Sequence, residues 1–195
     1  MQNTYNHAAN WGTSELDVRF RYTLDGVIEV PVGRGKLFLA NQKMASVVLG
    51  GWAVSPIYLW QSGAPLTAGM SNDTANSGTV TRPNQVCDPN HGGARNLAQW
   101  FNTACLVAPA NYTFGNMSVG TIKGPGQDCL DLSLQRNFPI PHWHESNLNF
   151  RMEGFNAFNH VQLSAPNVTV GSSTYGQVTS AGTQRQMQAA VRLTF

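Results

Sequence analysis

The sequence predicts an all-β fold: an antiparallel meander that forms part of a transmembrane β-barrel and carries one long extracellular loop. The main observation is the final stretch, where every second residue from Met187 to Phe195 is apolar and those between are mostly polar. Strand side chains alternate faces, so this stretch has one apolar and one polar face. Chain ends are usually polar unless something holds them. A terminal strand that closes on an aromatic residue is typical of outer-membrane barrels, where the last strand pairs with the first. We expect Val191, Leu193 and Phe195 to be the last outward-facing residues of this strand.

The composition agrees with a strand-rich chain that has a neutral polar face. Of the 195 residues, 42% are hydrophobic and only 11% are charged, whereas a typical soluble domain has roughly 25% charged residues. The formal net charge is +2, and Lys and Arg form no basic stripe. We therefore expect no nucleic-acid partner.

The beginning of the chain conflicts with export of a complete barrel. Residues 1–15 are Asn-rich, have no periodicity and lack a basic-then-apolar secretion signal. We expect either a protein that is not exported or a fragment whose true start lies upstream.

Two strands are predicted before the long loop, over residues 16–30 and 45–61. The first alternates apolar and polar residues from Leu16 to Asp25 and ends at Pro31. The second is the most apolar stretch, and a transmembrane helix is the alternative interpretation of Met44–Gln61. Its Val, Ile, Tyr and Trp content and its Gly-Gly pair favour a strand. Its aromatic residues suit the girdles of a barrel; they are Trp52, Tyr58 and Trp60.

Three further strands are predicted over residues 128–138, 146–158 and 184–195, where the alternation returns. Between them and the first pair lies a stretch rich in Gly, Pro and Asn, predicted as a long outer loop over residues 62–127. If the last strand runs inward, the short connections 31–43 and 139–145 lie in the periplasm and the long loop lies outside. Barrels alternate short periplasmic turns with long extracellular loops in this way.

The three cysteines are Cys87, Cys105 and Cys129. An odd count allows one disulfide and one free thiol. Cys87 and Cys105 both fall in the predicted outer loop, where conditions are oxidising, so we expect them to pair and Cys129 to stay free.

Several motifs invite a catalytic or metal-binding interpretation. The segment Gly33–Lys36 lacks the spacing of a phosphate-binding loop. His142, His144 and Glu145 could ligate zinc, but they follow two prolines and lack the spacing of a zinc protease helix, so we favour a turn. We find no nucleophile elbow, and we expect the charged residues on strands to face the lumen. No enzyme activity, cofactor or metal site is therefore expected.

A series of motifs resembles the barrel of TonB-dependent receptors, most closely the large receptors with a carboxypeptidase-regulatory-like N-terminal domain. The motifs cover most of the chain from Leu16 onward, in the right order. They are Val30-Pro-Val-Gly33 with Gly35-Lys36, Leu49-Gly-Gly-Trp52, Gln61-Ser-Gly-Ala-Pro65, Arg82-Pro-Asn84, Phe114-Gly-Asn116, Gly124-Pro-Gly126, Asp131-Leu-Ser-Leu134, Phe150–His160 and Arg185-Gln-Met-Gln188.

The resemblance implies that the chain is the C-terminal part of such a barrel in the bacterial outer membrane. It implies about five strands of roughly 22. It also implies that the terminal strand is read by the assembly machinery, which makes Val191, Leu193 and Phe195 the assembly end. Its partners would be membrane lipid, the rest of the barrel and its plug, TonB through an N-terminal part, and a scarce small solute that the sequence does not name. The alternative is a soluble, secreted all-β carbohydrate-binding module, which would explain the alternation but not the aromatic end or the very long loop.

Overall fold

The computed structural model describes residues 2–39, 41, 43–140 and 146–195. Within them lie twelve strands, one α-helix and two short 3-10 helices, at Ala8–Asn10 and Thr103–Cys105. The α-helix, α1, spans Lys43–Leu49. The strands are, in chain order, β1 (Arg21–Asp25), β2 (Ile28–Glu29), β3 (Trp52–Gln61), β4 (Pro65–Leu66), β5 (Gly69–Met70), β6 (Asn84–Gln85), β7 (Leu106–Val107), β8 (Ile122–Lys123), β9 (Gln127–Pro139), β10 (Asn147–Phe155), β11 (Thr169–Val170) and β12 (Gln186–Thr194).

The chain divides into two compact units. The sheet unit comprises Tyr22–Trp60, Asp128–Val161 and Thr183–Phe195, and the loop unit comprises Met1–Arg21, Gln61–Gln127 and Gln162–Gly182. No helix in the described part of the chain is long and apolar enough to cross a membrane.

The sheet unit is built on one six-stranded sheet in the order β1-β3-β9-β10-β12, with β2 also on β3. The β9–β10, β10–β12 and β2–β3 pairs are antiparallel. Among the described residues the sheet is open, with β1 and β12 at its two edges. The all-β, antiparallel fold that the alternation predicts is therefore confirmed.

The predicted strands at 128–138 and 184–195 agree with β9 and β12 to within two residues. The other three predictions were too long. The predicted strand 16–30 is regular only in β1 and β2, which Gly26 and Val27 separate. The predicted strand 146–158 ends at Phe155 because Asn156 adopts a positive φ of 50° and starts a turn.

The start of the predicted strand 45–61 was wrong, because residues 45–49 belong to α1 and the strand begins at Trp52. Val47 and Val48 favour a strand by intrinsic propensity, but Met44, Val47 and Val48 also have the i, i+3, i+4 spacing of a helix face. The helix ends at Gly50-Gly51, where Gly51 has a φ of 75° that most residues avoid.

The predicted loop 62–127 is more ordered than its composition suggests. It contains β4 to β8, paired with one another or with β11 across the loop unit. Its core combines five buried side chains with partly buried aromatic residues at its margin. The buried members are Ala68, Phe101, Leu106, Met117 and Ile122.

The buried apolar residues are distributed unequally between the two units. Among the described residues, every buried hydrophobic side chain lies in the loop unit. In the sheet unit, large apolar side chains such as Ile57, Met187 and Val191 remain more than half exposed. A soluble sheet of this size would cover one of its faces to stay in water. The sheet unit instead presents apolar surface outward, as a membrane wall does.

Candidate functional site

One face of the sheet is apolar across three neighbouring strands. Leu148 on β10 lies opposite Phe138 on β9 and Leu193 on β12, and Phe150 lies opposite Val191. Two further rows place Met152 and Gly154 between apolar partners on both sides. Since opposite residues of an antiparallel pair share a face, the alternation that the sequence shows in each strand is combined by the register into one continuous apolar surface.

The other face of the same strands is polar and internally bonded. Arg151 forms an ion pair with Glu153, and Gln188 donates a hydrogen bond to the same carboxylate. The side chain of Asn149 donates a hydrogen bond of 2.6 Å to the side chain of Asn137 on the neighbouring strand. In an aqueous barrel lumen these groups remain hydrated or paired, whereas facing lipid they would cost several kcal/mol each, on the order of 2–4 for an arginine. This polarity is the one expected of the lumen side of a barrel wall.

Aromatic residues mark both ends of the apolar face. Trp52 contacts Phe138 and Phe150 edge-on, with ring centroids 6.4 and 5.7 Å apart. Tyr22 and Trp60 pack together with their ring centroids 5.5 Å apart. Trp52 and Trp60 stand at opposite ends of β3, which separates them by about 27 Å along the strand. Allowing for strand tilt, this fits the apolar band of roughly 25 Å between the two aromatic girdles of a barrel.

Arg136 is the exception on the apolar face, and it is only 9% exposed. Its guanidinium donates hydrogen bonds to the carbonyl oxygens of Val47 and Val48 at the end of α1. It also lies 4.2 Å from the ring centroid of Phe138 and 5.7 Å from that of Trp52. A cation at the C-terminus of a helix interacts favourably with the helix dipole. Arg136 therefore fixes α1 beside the aromatic end of the sheet.

The three residues of the predicted assembly end are exposed. The exposed fractions are 64% for Val191, 40% for Leu193 and 88% for Phe195. Val191 and Leu193 point to the apolar face with Phe150 and Leu148, and the outer edge of β12 has no neighbouring strand among the described residues. The assembly role remains a prediction.

Cys87 and Cys105 form a disulfide in the loop unit, with Cα atoms 4.8 Å apart, and Cys129 on β9 is free. The segment that follows Cys87 is also held by Asp88, whose side chain accepts hydrogen bonds from the backbone amide and the side chain of Asn90. The backbone amide of Asn90 is the main reason that the pKa of Asp88 lies below its usual value, and His91 lowers that pKa further.

A cleft of about 370 Å³ opens on the loop unit. Three cationic residues, one carboxylate, an exposed aromatic ring and several glycines contribute to its wall. The lining comprises Thr13, Asp17, Arg19, Phe20, Ser62, Gly63, Pro65, Arg95, Gly120, Thr121, Lys123 and Gly124.

The cationic side of this cleft is held by a set of hydrogen bonds. Arg95 donates to the carbonyl oxygens of Lys123 and Asn90 over 3.2 and 3.4 Å, and its guanidinium lies 5.5 Å from the ring centroid of Trp100. Trp100 donates to the same Lys123 oxygen over 2.9 Å. The backbone amide of Lys123 donates to the side chain of Asn90 over 2.8 Å. Both basic residues are thus fixed through backbone groups.

No group of three His, Cys, Asp or Glu residues in the described part of the chain could hold a metal ion. His142, His144 and Glu145, which were the sequence-based zinc alternative, lie outside the described residues.

Sequence reasoning missed two features of the site. Arg136 lies on the apolar side of an alternating strand, which could have been noticed, but its partner helix was assigned as a strand. Arg95 and Lys123 are 28 positions apart, and only the folding of the loop unit brings them to one cleft with Arg19. No local spacing signals such a grouping.

Comparison with known proteins supports the wall interpretation over a soluble binding module. The family model described as an outer membrane beta barrel domain matches residues 1–188. Comparisons with curated proteins and with solved structures found no significant match. The family match covers nearly the whole chain and agrees with the outward apolar face. The chain therefore belongs to the outer membrane beta barrel domain family and is a protein of the bacterial outer membrane.

Proposed function

We propose that this chain is the C-terminal part of the barrel of a TonB-dependent receptor, which imports a scarce solute with energy transmitted through TonB. The sheet unit would supply wall, and other strands of the same protein would pair with the exposed edges of β1 and β12. The plug and the TonB-contacting segment would lie in the N-terminal part. The chain itself would perform no covalent chemistry.

One observation carries this proposal: the loop unit is a folded body with its own core and disulfide. A passive pore needs no preorganised binding surface for its solute. A receptor must hold a binding surface in a fixed shape before the solute reaches the lumen, because preorganised contacts cost less entropy on binding. The series of motifs from Val30 to Gln188 that resembles TonB-dependent receptors supports the same choice.

The test is solute uptake by the bacterium that carries the full-length gene. A deletion strain and its parent are grown in defined medium, and the loss of solutes from the medium is followed by mass spectrometry. We expect one class of solute to be depleted only by the parent, and we expect a protonophore or loss of TonB to abolish that depletion.

Two outcomes would contradict the proposal. Depletion that needs the gene but persists without TonB and without a proton gradient would indicate a passive channel. Equal depletion by both strains for every solute would remove transport as the function.

A further inference from the structure

We infer that the cleft of the loop unit binds a small organic oxyanion, meaning a molecule with a carboxylate or phosphate group on a compact apolar body. This inference names a ligand class for the proposed receptor and rests on that function only in taking the bound anion to be the imported solute. Binding itself requires neither TonB nor transport.

The cleft carries an excess of positive charge. Arg19, Arg95 and Lys123 line the cleft against a single carboxylate, Asp17. None of these four side chains takes part in an ion pair of the described residues. Elsewhere in the described chain Lys36 and Arg151 are neutralised by glutamates. An excess of unpaired positive charge in a concave site attracts and retains anions.

Two of the cationic residues of the cleft are held in fixed positions. The guanidinium of Arg95 is held by two carbonyl oxygens and by the face of Trp100, none of which cancels its charge. Lys123 is fixed through its backbone while its ammonium group makes no hydrogen bond among the described residues. The cations are therefore positioned by groups that leave their charge available, which is the arrangement of a preorganised anion site.

The floor of the cleft is rigid because its backbones approach too closely for side chains. A Cβ atom on Gly63 would lie 1.9 Å from the carbonyl oxygen of Gly124, and one on Gly120 would lie 2.1 Å from that of Thr13. These glycines bring together three distant parts of the loop unit. A fixed floor keeps the spacing of the cations constant, so a ligand need not order it.

Size and polarity define the rest of the ligand. The volume of about 370 Å³ lies at the lower end of the range for small-molecule sites, roughly 300 to 1,000 Å³. Phe20 is 53% exposed, and with Pro65 it gives the cleft an apolar wall. Ser62 and Thr121 add hydroxyl groups. A bare inorganic ion would leave the apolar wall unused, whereas an organic oxyanion would contact both sides.

The experiment is titration calorimetry on the purified protein in detergent micelles at low ionic strength. The probes are phenyl phosphate and phthalate, with benzyl alcohol as the neutral analogue. We expect one or both anions to bind, benzyl alcohol not to bind measurably, and the affinity for the anion to fall as NaCl is added, since salt screens exposed charges. Binding of phenyl phosphate alone or of phthalate alone assigns the oxyanion.

Three substitutions locate the binding in this cleft. Lys123→Gln should weaken binding at least tenfold, the loss expected for one charge-assisted contact. Asp17→Asn should strengthen it severalfold by removing a repelling carboxylate, an effect that misfolding cannot mimic. Arg34→Gln, an exposed arginine of the sheet unit, is the matched control and should leave the affinity unchanged.

Several results would overturn the inference. They are the absence of anion binding, equal binding of benzyl alcohol, and anion binding that Lys123→Gln and Asp17→Asn both leave unchanged. The proposed receptor function fails separately, in the uptake experiment, because calorimetry needs no energised membrane.

Discussion

Replacing Arg136 by methionine removes the interaction that fixes α1 against the sheet while keeping most of the apolar stem. The parent side chain donates two hydrogen bonds to the carbonyl oxygens of Val47 and Val48 and contacts two aromatic rings. We expect α1 to detach from the aromatic end of the sheet and the free energy of unfolding to fall.

The expected loss of stability is the sum of the contributions that Arg136→Met removes. Hydrogen bonds from a charged donor contribute about 1.5 to 3 kcal/mol each, and a cation–π contact contributes from about 0.5 kcal/mol when it is exposed to about 2 kcal/mol when it is desolvated. Val47 and Val48 are exposed by 67% and 65%, so water can replace the lost donor and the lower values apply. The buried Nε of Arg136 has no hydrogen-bond partner, and its removal recovers about 1 kcal/mol. A net loss of about 2 to 3 kcal/mol remains.

The assay is urea unfolding of the micelle-folded protein, followed by tryptophan fluorescence, since Trp52 packs directly beside Arg136. Arg136→Lys should lose part of this stability, because an ammonium lacks the planar fork that spans two carbonyl oxygens. Arg192→Met is the matched control: it removes an exposed arginine from the polar face of β12 and should change stability by less than about 0.5 kcal/mol. If Arg136→Met is as stable as this control, the inferred anchoring of α1 is wrong.

Four further predictions concern the disulfide, acid stability, assembly and solubility. Non-reducing peptide mapping should find Cys87 joined to Cys105, and a bridge containing Cys129 would contradict the assignment. Replacing both residues by serine should destabilise the loop unit by about 3 kcal/mol, the expected contribution of closing a loop of this size. Folding lowers the pKa of Asp88. The ionised Asp88 therefore stabilises the folded protein at pH values above its ordinary pKa of 3.8, and this stabilisation is lost as the pH falls through the folded-state pKa. The pH dependence of stability should therefore differ between the parent and Asp88→Asn when both are titrated with acid. Parallel stability curves for the two proteins would refute this prediction. Phe195→Ala in the full-length protein should lower the amount of the protein in the outer membrane without changing its ligand affinity, since we expect the exposed ring of Phe195 to anchor the barrel wall at the membrane interface. Normal levels with weakened ligand binding would mean that the inferred orientation of β12 in the membrane is wrong. The isolated chain should aggregate in detergent-free buffer because it has open edges and an outward apolar face, and a monodisperse monomer in sedimentation would contradict this.

The sequence by itself determined the strands of the barrel wall and their apolar and polar faces. β9, β10 and β12 each alternate between apolar and polar residues, because a strand between lipid and water has two unlike environments and a period of two. Slipping the register by one residue would turn Phe150 or Val191 to the polar face, so the same pattern also determines how the strands pair. The observed register of β10 and β12 places Phe150 opposite Val191, and Arg136 of β9 is the one charged residue that this register brings to the apolar face of the three strands.

Only the tertiary structure decided α1 and the loop unit. The β-branched residues of α1 favour a strand, but Arg136, 88 residues from Val48, satisfies the carbonyl groups at its end. In the loop unit, Gln2 donates to the carbonyl oxygen of Gly115 across 113 residues, and β5 pairs with β11 from a distant part of the chain. Such contacts depend on long-range closure of the chain rather than on local periodicity, so the residues concerned carry no pattern that predicts them. The charged cleft arises from the same closure, since Arg19, Arg95 and Lys123 meet only when the loop unit folds.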